Sequence, residues 1–216
     1  MERWPSILSL ILPFVALGAG SAFAAEGGGT AREGAGFFGR ETRRFGITYT
    51  NFSGDKDESL SGGSGFGLEA GITRGNRFVQ FIGKIRLDYS AGNVEFADGS
   101  SKTKLDYKLL GTAGALGLRL TPITSSDPAG FAIYFGAVGT FGIEQLTLPD
   151  RTYTSLKRNQ TSTATGYDLL AGIDFGAFSS GKRLYLEAAL RTARGDFGGK
   201  SSFQLDGLVL QGGLAW

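Results

Sequence analysis

The chemistry open to this chain is bounded first by what is missing: its 216 residues include no histidine and no cysteine. Histidine is the usual general base near neutral pH and a common metal ligand. Without cysteine there is no thiolate nucleophile, disulfide framework or thiolate metal site. Serine, threonine and carboxylates remain, but a hydroxyl becomes a good nucleophile only beside a base. Gly34-Ala35-Gly36-Phe37-Phe38-Gly39 spells G-x-G-x-x-G. A dinucleotide site needs a strand before that string and a helix after it, and here a β pattern follows. Gly65-Phe66-Gly67-Leu68-Glu69-Ala70 is a similar string inside a strand pattern. Asp55, Asp57 and Glu58 cluster, yet lack the central glycine and distal glutamate of a calcium loop. The expectation is therefore no catalytic residue, no cofactor and no metal.

The informative polar residues are charges that alternate with large apolar ones. Between Arg77 and Ser90, Val79, Phe81, Ile85, Leu87 and Tyr89 alternate with Gln80, Lys84, Arg86 and Asp88. Side chains of a strand point to opposite faces with a period of two, so this segment has one charged face and one greasy face. The same logic assigns Glu69, Arg119, Glu144, Asp168, Asp174, Glu187 and Arg191 to the polar faces of other strands. The last nine residues place Leu208, Leu210, Leu214 and Trp216 on one face and Gly207, Gln211, Gly213 and Ala215 on the other, with Val209 the apolar exception.

Eight strand candidates carry these residues: about Phe45–Ser53, Ser64–Thr73, Arg77–Ser90, Thr103–Leu120, Phe131–Leu148, Ser162–Phe178, Arg183–Ala193 and Ser201–Trp216. Gly75-Asn76 marks a tight hairpin. The fourth candidate changes phase: Leu105, Tyr107 and Leu109 set one parity and Leu116, Leu118 and Leu120 the other, which a β-bulge near Leu109–Gly111 would reconcile. Gly54–Gly63, Ala91–Lys102, Pro149–Thr161 and Arg194–Lys200 read as long or polar loops, all after odd-numbered strands, while the other connections are mostly shorter. An even strand number with short turns at one end and long loops at the other is the layout of bacterial outer-membrane barrels. The expected fold is all-β: a closed, antiparallel, up-and-down transmembrane β-barrel of eight strands.

The ends and the composition agree with it. Ile7–Leu17 is a short apolar run, and Ala22-Phe23-Ala24 suits cleavage; residues 1–24 read as a signal peptide, too short to span as a helix. Residues 25–44, Gly-rich and charged, read as a disordered periplasmic segment, with the barrel over 45–216. Mean hydropathy is −0.02, as expected where lipid-facing and lumen-facing residues alternate. A net charge of +2 gives no footprint for nucleic acid.

A signal peptide, eight two-faced strands, tight turns, polar loops and an aromatic last residue resemble the small outer-membrane β-barrel family of the OmpA-transmembrane-domain and OmpX type, over about Phe45–Trp216. That family's assembly signal is a last strand of alternating hydrophobics ending in an aromatic, usually Phe; Leu210, Gly212, Leu214 and Trp216 match it, with Trp for Phe and the glycine as departures. The resemblance implies a non-enzymatic integral protein of the Gram-negative outer membrane. Its partners would be membrane lipid, lipopolysaccharide and the assembly machinery, and a monomer is expected. The histidine-dependent barrel enzymes (lipid A deacylases, palmitoyltransferases, phospholipases, omptin proteases) have motifs this chain cannot match. Its role would be envelope integrity or surface interaction, with Asp55 to Glu58, Tyr153, Lys157 and Arg158 at loop tips. Two other readings stay open: a narrow pore or small-solute channel, and a soluble lipocalin-like barrel with apolar side chains inside.

Overall fold

The computed structural model describes residues 40–53, 63–98, 101–125, 130–149, 159–176, 182–197 and 201–216. They form β1 (Arg40–Phe52), β2 (Ser64–Gly75), β3 (Val79–Asp98), β4 (Ser101–Thr124), β5 (Phe131–Thr147), β6 (Asn159–Phe175), β7 (Arg183–Phe197), β8 (Ser201–Gln204) and β9 (Gly207–Ala215). From β1 to β7 each strand pairs antiparallel with the next, and β9 joins β7 to β1. The short β8 pairs with β7 alone. β8 and β9 thus occupy one place in the wall, and the sheet is a closed eight-stranded barrel, as expected. Closure removes the free edges that a sheet of greasy strands would otherwise expose.

Register fixes the geometry of closure. Following pairing partners from Gly46 through β2 to β6 arrives at Gly195 on β7, whereas crossing from Gly46 through Gly213 arrives at Tyr185. The offset, 195 against 185, is ten residues and measures the barrel's shear. Such stagger requires strands tilted by roughly 40° to the axis, around an interior that side chains can fill.

The two faces separate as the alternation predicts. Outside are Phe45, Phe66, Ile85, Leu116, Phe141 and Leu190, all exposed, Leu116 at 76%. Inside are charged and hydroxyl side chains together with small and apolar ones. Leu208, Leu210, Leu214 and Trp216 lie on the exposed face of β9, while Val209, Gln211 and Ala215 are buried. We call the end where β1 begins and β9 finishes the lower end. There the β2–β3 turn is closed by Asn76, whose Oδ1 accepts from the N–H groups of Phe78 (2.8 Å) and Val79 (2.7 Å). Asparagine side chains close turns in this way.

Four expectations need correction. β1 begins at Arg40, so the boundary at residue 44/45 cuts through a strand. The β3–β4 connection is not a loop over Ala91–Lys102: pairing runs unbroken to Asp98↔Ser101, and the hairpin rises above its neighbours. Likewise most of Arg194–Lys200 is strand, with β7 reaching Phe197. The bulge expected near Leu109–Gly111 is absent, and β4 keeps one phase from Leu109 to Leu120 against both neighbours. Its irregularity lies instead between Leu120 and Ile123, at Pro122, which has no N–H to give a ladder.

The reason for the misread phase is that Tyr107 and Leu109 point inward. With Phe52, Leu146, Leu148 and Leu205 they form an apolar cap inside the upper end. A polar-inside rule fails where the interior has an apolar layer of its own. The last strand is also interrupted, at Leu205-Asp206: the Leu205 N–H reaches the Ala193 carbonyl (2.8 Å), and Asp206 Oδ1 accepts from the Ala193 N–H (3.2 Å).

Candidate functional site

The candidate site is the lumen, whose walls are built by period-two alternation on every strand. Each of the charges expected there is turned inward. Glu69, Lys84, Arg86, Arg119, Asp168, Asp174, Glu187 and Arg191 are buried, and Asp88 and Glu144 are partly so. Some of these groups meet across a single strand pairing, as Glu69 with Lys84 and Asp168 with Arg191, while others join strands that are not neighbours, as Lys84 with Glu187 and Arg86 with Asp168.

Toward the lower end the network centres on Glu187 of β7. Its carboxylate accepts from Lys84 of β3, a close contact, and from Tyr134 Oη at 2.9 Å, and lies 3.5 Å from Arg44 Nη1. Arg44 also binds Asp174 at 2.5 Å and donates to Tyr134 Oη at 2.9 Å. Its guanidinium lies over the rings of Tyr134 and Tyr185, 4.8 and 4.7 Å from their centroids. Arg119 reaches the other Asp174 oxygen at 3.2 Å and Gln80 at 2.5 Å. Glu69 takes Lys84 at 3.3 Å and the Gln211 amide at 2.8 Å. Hydrogen bonds between ionised partners such as these are stronger than neutral ones.

A second group lies further up. Asp168 joins Arg86 (3.3 Å) to Arg191 (3.2 Å), and Arg86 pairs with Asp88 at 2.6 Å. Thr48, fully buried, donates to Asp88 Oδ1 at 3.1 Å. A hydroxyl beside a carboxylate is the nearest approach here to a nucleophile with a base. Thr48 is sealed from solvent, and its hydroxyl is held by Asp88 Oδ1 while Asp88 Oδ2 pairs with Arg86. Glu144 stands apart: its Oε2 is buried without a hydrogen-bond partner, as is Arg191 Nη2. Above both groups sits the apolar cap of Tyr107 and its neighbours.

Glycine makes room for this filling. Tyr134 lies across its β6 partner Gly172, and Tyr185 reaches across Gly213 to Gly46; a Cβ at Gly172 or Gly46 would collide with the tyrosine. The phenol ends of both rings thus lie where a side chain would otherwise stand.

The sequence reading missed Arg44, which it placed in a disordered segment. The signal was present: Arg44 continues the parity of Gly46, Thr48 and Thr50, the inward row of β1. The roles of Tyr134, Tyr185 and Gln211 as members of the network were also invisible, because each depends on a partner on a strand that is not its neighbour. Asp55, Asp57, Glu58, Tyr153, Lys157 and Arg158 lie outside the described residues, as do residues 1–39. The apolar-inside, lipocalin-like alternative is overturned: the interior holds an ion-paired network beside apolar clusters, and the continuous bulky aliphatic and aromatic face is outside.

What this arrangement can do chemically is limited and clear. Most of the buried carboxylates and cations pair with one another inside the barrel, with Glu144 Oε2 and Arg191 Nη2 left without partners, and an aromatic and aliphatic layer lies inside its upper end. Among the described residues no helix is long and apolar enough to cross a membrane. No family model matches the chain, and no curated protein matches it. Among solved structures, the chain is similar to Neisserial surface protein A, at 16% identity and a TM-score of 0.46, over 81% of this chain and 95% of that one. It is also similar to Ail, the attachment invasion locus protein of Yersinia pestis, solved with the heparin analogue sucrose octasulfate. There the identity is 10% and the TM-score 0.37, over 82% of this chain and 96% of that one.

Proposed function

We propose that the chain is a non-enzymatic, integral β-barrel protein of a Gram-negative outer membrane, exported by its N-terminal signal. It serves envelope integrity or surface interaction through its upper, external end. The observation that carries this reading is the inverted layering: a buried, ion-paired interior inside an exposed apolar belt. In water that belt would be an aggregation surface far larger than monomers tolerate. In a bilayer it is the required exterior, and an Arg or Lys facing lipid at the midplane would cost about 2–4 kcal/mol. Outer-membrane lipid and lipopolysaccharide would surround the belt. The assembly machinery would read the exposed face of the last strand, Leu210, Gly212, Leu214 and Trp216.

The network argues for a plug rather than a path, since a conducting lumen would need its cations and carboxylates to face water instead of each other. Two measurements test the proposal together. Protein refolded in detergent should run differently on gels with and without boiling and should fractionate with membranes. In planar bilayers it should show no stable conductance. Discrete steady currents would replace the plug with the narrow-pore reading, and recovery as a soluble, heat-insensitive protein would remove the membrane reading altogether.

A further inference from the structure

At the lower end the outward rows of three strands pass from an apolar residue to a cation, and the row of β9, which lies between two of them, ends on an aromatic. On β1 the row passes from Phe45 to Arg43, on β2 from Ile72 to Arg74, and on β7 from Leu184 to Lys182; on β9 it passes from Leu214 to Trp216. Arg43 and Trp216 exchange backbone hydrogen bonds of 2.8 and 3.0 Å, and the pairing Arg183↔Ala215 puts Lys182 beside Trp216 on the other side. Arg183 and Arg77 add exposed cations at the same rim. Arg77 lies 5.8 Å from the exposed Phe78 ring and donates to the Thr124 carbonyl at 3.2 Å. Against these, the exposed acid at this end among the described residues is Glu41, 3.3 Å from Arg43 and opposite Arg74 in the β1–β2 pairing. At the upper end, among the residues whose side chains are described, Asp106 and Asp206 stand in equal number with Lys108 and Arg194.

We propose that this basic, aromatic-edged rim on the β7–β9–β1–β2 side is a binding surface for anionic phospholipid headgroups in the leaflet at the lower end. The inference rests on the membrane-barrel reading above. Aromatic rings bridge acyl chains and headgroups, and cations just beyond them meet lipid phosphate. Each Lys or Arg near an anionic surface adds to the attraction. Because the described cations run from β7 through β1 and β2 to Arg77, which reaches Thr124 at the end of β4, the lipids they hold would be an annular patch rather than a complete ring. That patch would help fix the depth and direction in which the barrel sits.

The test compares refolded full-length protein with R74Q/R77Q/K182Q/R183Q, and with K108Q/R194Q as the upper-end control. Retention of phosphatidylglycerol against phosphatidylcholine is read by native mass spectrometry from mixed micelles. Wild type and the control should prefer phosphatidylglycerol by about tenfold, and the quadruple variant should lose most of that preference. Inorganic phosphate at millimolar concentration should leave the preference intact. Equal retention of both lipids by wild type would overturn the proposal, as would an undiminished preference in the quadruple variant. Displacement by free phosphate would show a phosphate site rather than a bilayer surface, and would overturn it too. The gel shift on boiling is followed in every sample. Its presence in a non-selective sample rejects the rim alone, whereas its absence in wild type rejects the barrel reading beneath it.

Discussion

Glu187 is the residue whose neutralisation tests the lumen network most directly. Its side chain is 1% exposed and meets Lys84, Arg44 and Tyr134. At an effective dielectric constant of 20, a unit charge 3.5 Å from another interacts with about 5 kcal/mol. Glu187→Gln removes that attraction from two cations while keeping volume and one acceptor. Both cations retain a second carboxylate, Lys84 at Glu69 (3.3 Å) and Arg44 at Asp174 (2.5 Å). The expected loss is therefore about 3 kcal/mol, the low end for breaking a buried pair, which is about two decades in the folding equilibrium. Lys84→Met should cost a similar amount. The double variant should cost at least about 1.5 kcal/mol less than the sum, because each change removes the other's unpaired charge. Urea titration of vesicle-inserted protein, read by the mobility difference between unboiled and boiled samples, gives all three values. A cost for Glu187→Gln below about 1 kcal/mol, or strictly additive single costs, would show that water rather than the cations balances Glu187.

Three further perturbations probe the other layers. Leu116→Arg, at an outward position, should destabilise the inserted barrel by about 2–4 kcal/mol if it faces the bilayer core; an unchanged urea midpoint in vesicles would place Leu116 away from lipid. Gly172→Ala should cost about 1–3 kcal/mol by overpacking against Tyr134, and Gly172→Ala combined with Tyr134→Phe should cost no less, since the ring stays; the same titration measures both. Tyr107→Ala should cost about 3–5 kcal/mol, the usual loss when a buried aromatic is truncated. It should still leave the protein silent in planar bilayers, because the ion-pair layers remain below the cap, and new currents in this variant would mean that the cap alone blocks the lumen.

Much of the wall is written locally. Along β3 and β7 the alternation of charge with bulky apolar residues is visible in either segment read alone, because a strand's faces depend on nothing more distant than the next residue. Lys84, Arg86, Glu187 and Arg191 could therefore be assigned inward without a structure. β4 shows where that reading ends. Tyr107 and Leu109 are as apolar as Leu116 and Leu118, and composition cannot distinguish an apolar residue in the lumen cap from one in the belt. Only pairing with both β3 and β5 shows that the phase never changes. The β3–β4 hairpin was misread for a related reason: Gly92, Asn93, Asp98 and Ser101 carry loop chemistry, but cross-strand pairing holds them in a ladder.

What the sequence determined by itself was the two-faced strand, its repetition eight times, and the absence of histidine and cysteine chemistry. Those are properties of single segments or of composition. What the tertiary structure decided was which charges meet. Arg44 with Asp174, Lys84 with Glu187 and Gln211 with Glu69 join strands far apart in the chain, and a ten-residue stagger at closure sets those encounters. A slip of one pairing step would move every inward side chain to the opposite face. Shear is a property of the closed circuit, so no single strand could announce it.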